Sequence, residues 1–452
     1  MTEKFDVIIV GAGVTGCSIG YHIKRKYPGS NVLLIDRLND VGKGNTAGNT
    51  AQSGAMFKNI FSSSINRTLA DASIDFYLHV QRDLKFDIGL ELTGYLWLMS
   101  AEQFEHHSKI LKKIINDNIP VETINKDRLR VIPELQMTFD EKNEQAKTLE
   151  LPNIEVGIYG KKCGTLDAEK LVMFYKKNLQ EQGAHFQFGT EVESLLLDTC
   201  GSTKRKIYNW KKNKYEERES SDIWHESNVR YTGIETSDGK KLTAKKIILA
   251  TSVWLNELLD PIGIDAHIKA QKRQQFSVQS DKLNTLLNLE GFNEQHRMPI
   301  MILPKADIYL RPEVAGNGIL LGCSDRLSRD FRVYGIHIET DFFAEPEFYN
   351  EQLYPILVQY FPQFENARLK NSTAGFCGYN TIDDNPFVFE KCGVIITGAA
   401  GGRGIMIADS IGRIAEALYS KEKSAKLYEN RKFLVSKLSV NARAVEKEEF
   451  KL

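Results

Sequence analysis

The chain has 452 residues, 42% of them hydrophobic, and its 59 lysines and arginines balance its 59 aspartates and glutamates. This length exceeds the usual size of one hydrophobic core, which predicts two domains, and the neutral charge argues against nucleic acid or an anionic membrane as a partner. No stretch is apolar for long enough to cross a bilayer, the N-terminus lacks a secretory pattern, and the six cysteines lack metal or CxxC spacing, so we expect a cytoplasmic protein without a metal site.

The first predicted elements follow the pattern of a dinucleotide-binding unit. Val7–Val10 predicts a buried strand, Gly11–Gly16 (Gly-Ala-Gly-Val-Thr-Gly) follows it, and Cys17–Tyr27 predicts a helix. Val32–Ile35 predicts a second buried strand, which ends at Asp36, twenty residues after the last of these glycines. The glycines allow a tight turn, a close approach of pyrophosphate and close helix packing, and the carboxylate can accept from a ribose hydroxyl. The spacing therefore predicts a dinucleotide site.

A segment of small and polar residues, Gly42–Gly54, comes shortly after the ribose acid. One interpretation is a flexible loop, because the segment has little to bury. The other is a cradle of backbone N–H groups against a ligand, because glycine, asparagine and serine let the main chain approach closely. The position of the segment, just after the dinucleotide pattern, favours the cradle.

The next part of the chain mixes helical and strand patterns. Ile65–Lys85 has apolar residues at helical spacing and predicts a long surface helix. Cys200–Arg230 mixes both signs of charge and predicts a hydrophilic hairpin insertion. A connector is predicted at Thr123–Pro133 and an exposed loop at Thr138–Leu151. The remaining predictions are helices at Ala101–Asn118, Thr165–Gln180 and Trp254–Leu259, and strands at Gly94–Met99, His185–Gly189, Glu191–Leu197, Tyr231–Glu235, Lys240–Thr243 and Lys246–Thr251.

The last part predicts an antiparallel sheet followed by a second glycine loop. Ala266–Lys370 alternates strands with loops, which suits an antiparallel sheet in a separate domain, and Gly375–Asp384 predicts a turn-rich link. Gly398–Gly404 has four glycines in seven residues between the predicted strand Val394–Thr397 and the predicted helix Ile405–Tyr419. Such a loop predicts an anion site, because the N–H groups of a helix start are unpaired. The predicted elements of the sheet domain are strands at Gln275–Gln279, Pro299–Leu303, Ile308–Arg311 and Ile319–Ser324 and a closing helix at Glu345–Tyr360.

Six motifs distributed along the chain carry a family resemblance. They are Val7–Gly16 with Asp36-Arg37, Gly164–Asp167, Glu191-Val192, Ile247–Trp254, Tyr309–Glu313 and Gly398–Gly404. Together they resemble the FAD-dependent oxidoreductases of the D-amino-acid oxidase, glycine oxidase and sarcosine oxidase superfamily over almost the whole chain. Gly375–Asp383 and Ser410–Arg413 are similar to a mitochondrial group of FAD-dependent oxidoreductase-domain proteins linked to complex I assembly.

The resemblance implies FAD as the cofactor and an α/β fold, in the wider sense a two-domain α+β fold. One domain would be a Rossmann-like FAD-binding domain built from discontinuous segments, and the other an antiparallel-sheet substrate domain that covers the flavin. The FAD-binding domain would comprise residues 1–90, 156–265 and 374–440. The substrate domain would comprise residues 91–155 and 266–373, with a C-terminal tail at 441–452.

The resemblance also implies the cofactor contacts. The first glycine loop and the acid after it would hold pyrophosphate and ribose, the small-residue segment would line the flavin, and the second glycine loop would reach the pyrimidine edge. The implied cofactor-binding residues are Gly11, Gly13, Val14, Thr15, Gly16, Asp36, Arg37, Asn49, Thr50, Ala51, Ser53, Gly54, Val192, Ala250, Thr251, Trp254, Gly398, Gly401, Gly402, Arg403, Gly404, Ile405 and Met406.

The implied catalytic residues are Arg403, Tyr309 and Arg311. Arg403 stands at a helix start, where positive charge would stabilise a reduced flavin. In the amino-acid oxidases an arginine in the link before the last strand holds the substrate carboxylate, whereas this chain has Phe376–Gly378 there. Cys377 is close to the position at which monomeric sarcosine oxidases bond a cysteine to the flavin. The alternative for this cysteine is a small buried packing residue.

The family chemistry is transfer of a hydride from the carbon next to nitrogen of a small amine or amino acid to flavin N5, which leaves an imine. The alternatives are an FAD-dependent 2-hydroxy-acid dehydrogenase and a flavin-containing assembly protein. The expected partners are a small-molecule substrate and an electron acceptor, which can be oxygen, a quinone or another redox protein. We expect a cytoplasmic location, with a peripheral association with the membrane through the electron acceptor as the alternative.

Overall fold

The fold is taken from a computed structural model, which describes residues 4–41, 48–199, 204–209, 214–219, 229–313, 317–323 and 343–450. Two sheets of eight strands each form its frame within these residues. The strands are β1 (Lys4–Val10), β2 (Val32–Ile35), β3 (Met56–Phe57), β4 (Tyr95–Met99), β5 (Val121–Asn125), β6 (Val156–Gly160), β7 (Gly164–Thr165), β8 (His185–Gln187), β9 (Val192–Thr199), β10 (Lys204–Asn209), β11 (Lys214–Glu219), β12 (Val229–Thr236), β13 (Lys241–Leu249), β14 (Ile268–Gln279), β15 (Ile300–Ile302), β16 (Tyr309–Glu313), β17 (Gly318–Gly322), β18 (Arg368–Asn380), β19 (Phe387–Lys391), β20 (Val394–Gly398), β21 (Ser424–Lys426) and β22 (Lys432–Leu434).

Four long helices, at residues 14–26, 64–82, 168–181 and 404–419, pack in the core beside the first sheet, and those at 101–116, 126–129, 284–287 and 354–360 pack in the cores beside the second. A single π-helical turn, Tyr349–Leu353, joins two of them. The α-helices are α1 (Val14–Lys26), α2 (Ser64–Arg82), α3 (Ala101–Asn116), α4 (Lys126–Leu129), α5 (Glu144–Thr148), α6 (Ala168–Glu181), α7 (Leu255–Leu259), α8 (Asn284–Leu287), α9 (Pro346–Phe348), α10 (Tyr354–Tyr360) and α11 (Gly404–Tyr419).

The first sheet has a parallel core in the order β20-β13-β1-β2-β8. Strand β1 is central, and its Val7 and Ile9 are completely buried because helices cover the sheet. The elements β1, α1 and β2 follow one another, and Asp36 comes directly after β2. The predicted Rossmann-like unit is therefore confirmed.

The second sheet has the order β18-β14-β17-β16-β15-β4-β6-β5. Its longest pairing is antiparallel and joins β14 to β18, from Ile268 beside Asn380 to Gln279 beside Arg368. The other neighbouring strands are also antiparallel, except that β4 and β15 run parallel. The predicted antiparallel sheet is confirmed, with this parallel pair as a correction.

The turn-rich link predicted at Gly375–Asp384 is wrong for most of its length, because residues 375–380 belong to strand β18. Its glycines serve close packing rather than turns. A Cβ atom on Gly375 would lie 3.2 Å from Cβ of Gln52, and one on Gly378 would lie 3.1 Å from Cγ2 of Ile268. The glycines therefore let neighbouring segments lie directly on the strand.

A helix forms at the predicted position, Ile65–Lys85, but the prediction that it lies on the surface is wrong. Helix α2 buries eleven of its 19 residues, because it is covered by α11, with the Ser73 hydroxyl donating to Ser410 Oγ at 2.9 Å. Sequence patterns missed β5, α5 and β19, which are short. The strands predicted at 240–243 and 246–251 are one strand, β13.

The hydrophilic insertion forms the predicted hairpin where it is described. Strands β10 and β11 pair antiparallel, from residue 204 beside 219 to residue 209 beside 214. Residues 229–230 of this prediction belong instead to strand β12. Its residues 200–203, 210–213 and 220–228, residues 42–47 of the small-residue segment, Ser324 of a predicted strand and residues 451–452 of the predicted tail lie outside the described residues.

The two sheets alternate along the chain, so the domain division stays a proposal based on which sheet a segment joins. Residues 156–160 form β6 and residues 374–380 end β18, and both strands belong to the second sheet. We therefore propose that these two segments belong to the substrate domain rather than to the FAD-binding domain. The other proposed boundaries are kept.

The fold predicts a strict requirement for glycine at position 16. A Cβ atom there would overlap the carbonyl oxygen of Gly11, which is backbone and cannot move aside. We expect Gly16→Ala to lower the free energy of unfolding by about 2–4 kcal/mol, measured by urea unfolding. Gly29→Ala is the control, because nothing lies within 4 Å of a Cβ atom there. Equal unfolding midpoints for the two variants would contradict the expectation.

Candidate functional site

A pocket lies along the carboxyl ends of the parallel strands of the first sheet, where ligands bind in open α/β sheets, and is closed by strands β14 and β18 of the second. Its walls come from nine separate stretches of sequence, one of which is the single residue Pro386. The predicted residues that line it are Gly11, Gly13, Val14, Thr15, Asp36, Arg37, Asn49, Thr50, Ala51, Ser53, Gly54, Val192, Ala250, Thr251, Trp254, Cys377, Gly398, Gly401, Gly402, Gly404 and Ile405.

Five predicted site residues lie outside the pocket lining: Gly16, Met406, Arg403, Tyr309 and Arg311. Gly16 packs helix α1 on the chain below it, as its glycine role predicts. The buried Met406 belongs to the hydrophobic core of the first sheet. Of the three predicted catalytic residues, Tyr309 and Arg403 are buried and Arg311 is half-buried, and none belongs to the pocket lining, so their roles stay proposals.

The first glycine loop brings the start of α1 to the pocket. Gly11 has φ +97°, and a Cβ atom on it would lie 2.6 Å from the carbonyl oxygen of Ala250. Helix α1 starts at Val14 without a capping side chain and without an acidic residue in its first turn. The helix start is therefore open to an anion, because its dipole and N–H groups favour negative charge.

The acid after β2 is held firmly by the backbone. Asp36 accepts from the Ala12 N–H at 2.7 Å and from the Leu38 N–H at 2.9 Å. Burial raises the pKa of Asp36, and these two donors and Arg37 oppose the rise. The guanidinium of Arg37 in turn stacks 4.6 Å from the centre of the Trp254 ring. This end of the pocket therefore combines a fixed carboxylate with a cation and an aromatic face.

The described part of the small-residue segment bridges the two sheets. The Asn49 amide donates to Ser252 Oγ at 3.1 Å, and its Oδ1 accepts from the Phe376 N–H at 3.0 Å. Thr50 Oγ1 accepts from the Val14 N–H at 3.2 Å, at the start of α1. These contacts favour the cradle over the flexible loop for residues 48–54.

The second glycine loop brings the start of α11 to the pocket from the opposite side. Gly401 and Gly402 have φ +55° and +82°, so the loop turns in a conformation that side chains disfavour. Helix α11 has no capping side chain and no acidic residue in its first turn. The Arg403 guanidinium donates to the carbonyls of Ala400 and Asp384 and so braces the loop from behind. Burial lowers the pKa of Arg403.

The second sheet presents two alternate residues of β14 and the consecutive residues 375–378 of β18 to the pocket, and sequence reasoning missed the β14 residues. Arg273 and Gln275 line the pocket beside Cys377. Arg273 Nε and Nη2 donate to the Tyr379 hydroxyl at 3.2 and 2.6 Å. Residues 271–275 are all polar, so the sequence shows no polar–apolar alternation there, and only strand pairing tells which face meets the pocket.

The same sheet face continues two strands further, to Tyr309 and Arg311 of β16. Tyr309 pairs with Gly322 and Arg311 with Leu320, and Leu320 pairs with Ser277 on β14. Two strand spacings place β16 about 10 Å from β14. Nε of Arg311 is buried and has no hydrogen-bond partner. The face therefore carries two arginines, one at the pocket and one beyond it.

These features fit FAD. Two helix starts whose N-cap residues provide no side-chain cap face one pocket, as a pyrophosphate and an anionic flavin edge require. Thr251 Oγ1 lies in the pocket wall, buried and without a hydrogen-bond partner, so a ligand can satisfy it. Asp36 would hold the ribose end, and residues 398–405 would lie at the flavin end.

Comparison with known proteins gives a consistent result. Residues 6–418 match the family described as DAO, FAD dependent oxidoreductase. FAD-dependent oxidoreductase domain-containing protein 1 of Bos taurus is 24% identical, over 91% of this chain and 80% of that protein. Monomeric sarcosine oxidase of Bacillus sp. (strain B-0618) is 21% identical, over 92% and 93%. The glycine oxidase structure from Geobacillus kaustophilus shares the fold with a TM-score of 0.71, at 17% identity, over 98% of this chain and 100% of that chain.

No helix in the part of the chain that the structure describes is both long and apolar enough to span a bilayer.

The pocket predicts that the purified protein is yellow, with one FAD per chain, and that Gly13→Ala weakens FAD binding. Gly13 lines the pocket just before the open start of α1, so a methyl group there would meet the pyrophosphate. We expect a loss of at least about tenfold in affinity, measured by flavin fluorescence. Gly29→Ala should bind FAD like the unmodified chain. A folded Gly13→Ala protein with stoichiometric FAD would contradict the assignment.

The protonation state of the Cys377 thiol predicts whether FAD is bound covalently. Burial raises the pKa of Cys377, although Arg273 and Arg403 oppose the rise, so the thiol stays protonated and is a poor nucleophile. We therefore expect acid precipitation to release all yellow colour into the supernatant. Colour that stays in the pellet, but not in the pellet of Cys377→Ser, would establish a covalent bond instead. Cys392→Ser, outside the pocket lining, is the matched control.

Proposed function

Because the chain belongs to the DAO family of FAD dependent oxidoreductases, we propose that it oxidises a small amino acid at the carbon next to nitrogen and forms an imine. The family membership confirms the resemblance predicted from the motifs, and the chain is an FAD-dependent oxidoreductase. FAD supplies the hydride acceptor when bound. The side chains of the pocket wall are the basis for the proposed substrate class.

The positive charge of the pocket wall at the flavin end carries this proposal. Arg273 lines the pocket there, and Arg311 follows on the same sheet face. A guanidinium in a site shielded from water favours a carboxylate, which it can bind through two parallel hydrogen bonds. We infer that Arg273 takes the place of the arginine that is missing from Phe376–Gly378. This position favours an amino acid over an amine without a carboxylate.

The proton chemistry at this end favours an amine over an alcohol. None of the described lining residues of β14, β18 and the second glycine loop is a histidine or a carboxylate. Burial raises the pKa of Tyr379 to about 12 and that of Tyr309 further above its usual range, so both hydroxyls stay protonated and act as donors. An alcohol needs a base to remove its proton, whereas an amino group can lose its proton to solvent before it binds. The two similar oxidases act, by their names, on sarcosine and glycine, which are amino acids.

Anaerobic flavin reduction tests the proposal. The FAD-loaded protein is mixed with sarcosine, glycine and proline, with their methyl esters, and with lactate and glycolate, and the absorbance near 450 nm is followed. We expect reduction by one or more amino acids and none by the matching ester, because the ester lacks the carboxylate. Reduction by the hydroxy acids alone would make the chain a hydroxy-acid dehydrogenase. A flavin that no compound reduces would favour an assembly role.

Arg273→Met tests the carboxylate contact itself. Loss of a charged hydrogen-bond pair should raise the apparent dissociation constant of the reducing amino acid by about 30-fold or more, which corresponds to about 2 kcal/mol. The ester should be unaffected. Arg368→Met is the control, because Arg368 lies exposed on the adjacent strand β18. Equal effects of the two substitutions would contradict the role of Arg273.

A further inference from the structure

The C-terminal end of the described chain is buried in an alternating pattern. Glu448 and Phe450 are 5% and 2% exposed, whereas Lys447 and Glu449 between and beside them are exposed. This segment forms no helix or strand. A loosely trailing end would not bury a carboxylate, because a buried charge is costly unless it is hydrogen-bonded. We call residues Glu446–Phe450 the C-terminal strap.

The Glu448 carboxylate fills an anion site at the start of helix α2. Its Oε1 accepts from the Ser62 N–H at 2.7 Å and from the Ser62 hydroxyl at 2.9 Å. Its Oε2 accepts from the Ser63 N–H at 3.2 Å and from the Asn66 amide at 3.1 Å. Ser63 is the N-cap of α2, so the helix dipole also favours the carboxylate. The site is complete only when the strap is docked.

A buried lysine beside this site lacks a hydrogen-bond partner. Lys58 is 4% exposed, and its Nζ makes no hydrogen bond to any residue that the structure describes. Three rings surround the Nζ, with their centres at 4.9 Å (Phe61), 5.2 Å (Trp97) and 5.6 Å (Phe450). Burial lowers the pKa of Lys58 to about 8, and the charge of Glu448 opposes the fall. The strap therefore supplies both a ring and a counter-charge to this cation.

The chain just before the strap is tied to the pocket wall through Arg443. Arg443 Nη2 lies 3.0 Å from Asp383 Oδ1, in an ion pair whose two side chains are 2% and 0% exposed. The same Nη2 donates to the carbonyl of Pro386 at 3.3 Å, and Pro386 lines the pocket. The Asn385 amide donates to the carbonyl of Glu446 at 2.7 Å. The turn at 383–386 is thus held between the strap and the pocket.

The strap also meets the chain near both glycine-rich walls of the pocket. Lys58 comes four residues after Gly54, which lines the pocket. On the opposite side, Arg403 braces the second glycine loop, and the charge of Glu448 supports the charged form of Arg403 against burial. The carboxylate of the strap is therefore close enough to favour the charged forms of one cation that follows the first wall and one that braces the second.

We propose that the C-terminal strap is an internal ligand whose docking is coupled to the retention of FAD. The docked strap brings the charge of Glu448 near Lys58 and Arg403 and holds the turn at 383–386. Arg403 braces the wall at 398–405, and Lys58 follows the wall at 48–54 by four residues. Coupling between two sites is reciprocal, so bound FAD also holds the strap down. This inference rests on the cofactor and is independent of the substrate proposed above.

Cleavage of the strap in the FAD-loaded protein tests the coupling. Trypsin can cut after the exposed Lys447, and intact mass identifies the chain that has lost residues 448–452. The cut protein and the uncut protein are diluted, and FAD release is followed by the recovery of flavin fluorescence. We expect release to be at least about fivefold faster from the cut protein. Because the protein is folded before it is cut, a failure to fold cannot explain the result.

A pair of variants isolates the carboxylate. Glu448→Gln keeps the size of the side chain but removes its charge, and Glu449→Gln makes the same charge change on an exposed neighbour. We expect Glu448→Gln to speed both cleavage after Lys447 and FAD release by at least about fivefold, with Glu449→Gln unchanged in both. Faster cleavage with unchanged FAD release would show a strap that anchors only itself and would overturn the proposal. Equal behaviour of the two variants would overturn the anion site as well.

Discussion

The packing of helix α1 against helix α11 is the constraint on which the pocket depends. A Cβ atom on Gly412 of α11 would overlap the Ser18 hydroxyl of α1, so the two helices touch through their backbones. Inside this contact the His22 imidazole donates to Asp409 Oδ1 at 2.7 Å, and Arg413 Nε binds the other oxygen at 2.7 Å. Burial lowers the pKa of His22, so the ring stays neutral and Arg413 balances the carboxylate. Both helices begin at the pocket, so this contact sets the distance between these two helix starts.

The sequence predicts those parts of the fold that depend on short-range patterns. The unit from Lys4 to Ile35 needs only a strand, three glycines and a helix in order, and all are visible within about thirty residues. The end of strand β18 was predicted wrongly as a turn-rich link, because Gly375 and Gly378 suggest turns. In the structure these glycines make room for Gln52 and for the neighbouring strand. The burial of α2 failed for a similar reason. Its cover, α11, is more than 300 positions away in the chain, with hydrogen bonds such as that from Ser73 to Ser410.

The residues of the site could likewise be predicted where nearby sequence determines them, and were missed where distant contacts do. Loops such as Gly11–Gly16 and Gly398–Gly404 can be predicted from the sequence, because their conformation restricts the residue type. The place of Arg273 in the pocket wall could not be predicted, because a one-residue shift in the pairing of β14 would turn its side chain to the opposite face. The end of the chain was predicted only as a tail. Nothing within residues 446–450 indicates that Glu448 meets the start of a helix 386 positions earlier.

The two ends of the pocket differ in charge, and this difference determines which end suits the ribose and which end suits the proposed substrate. The Asp36 end has a carboxylate that the backbone holds in place, which suits neutral hydroxyl donors of a ribose. The opposite end has Arg273 and protonated tyrosines, which suit an anion. A zwitterionic amino acid satisfies this end with its carboxylate but also brings a positive charge. The nearby guanidinium makes that charge less favourable, so the wall that binds the carboxylate also favours the neutral amine. In the proposed reaction one cation would both select the substrate and favour its neutral amine, whose lone pair supports loss of the hydride from the adjacent carbon.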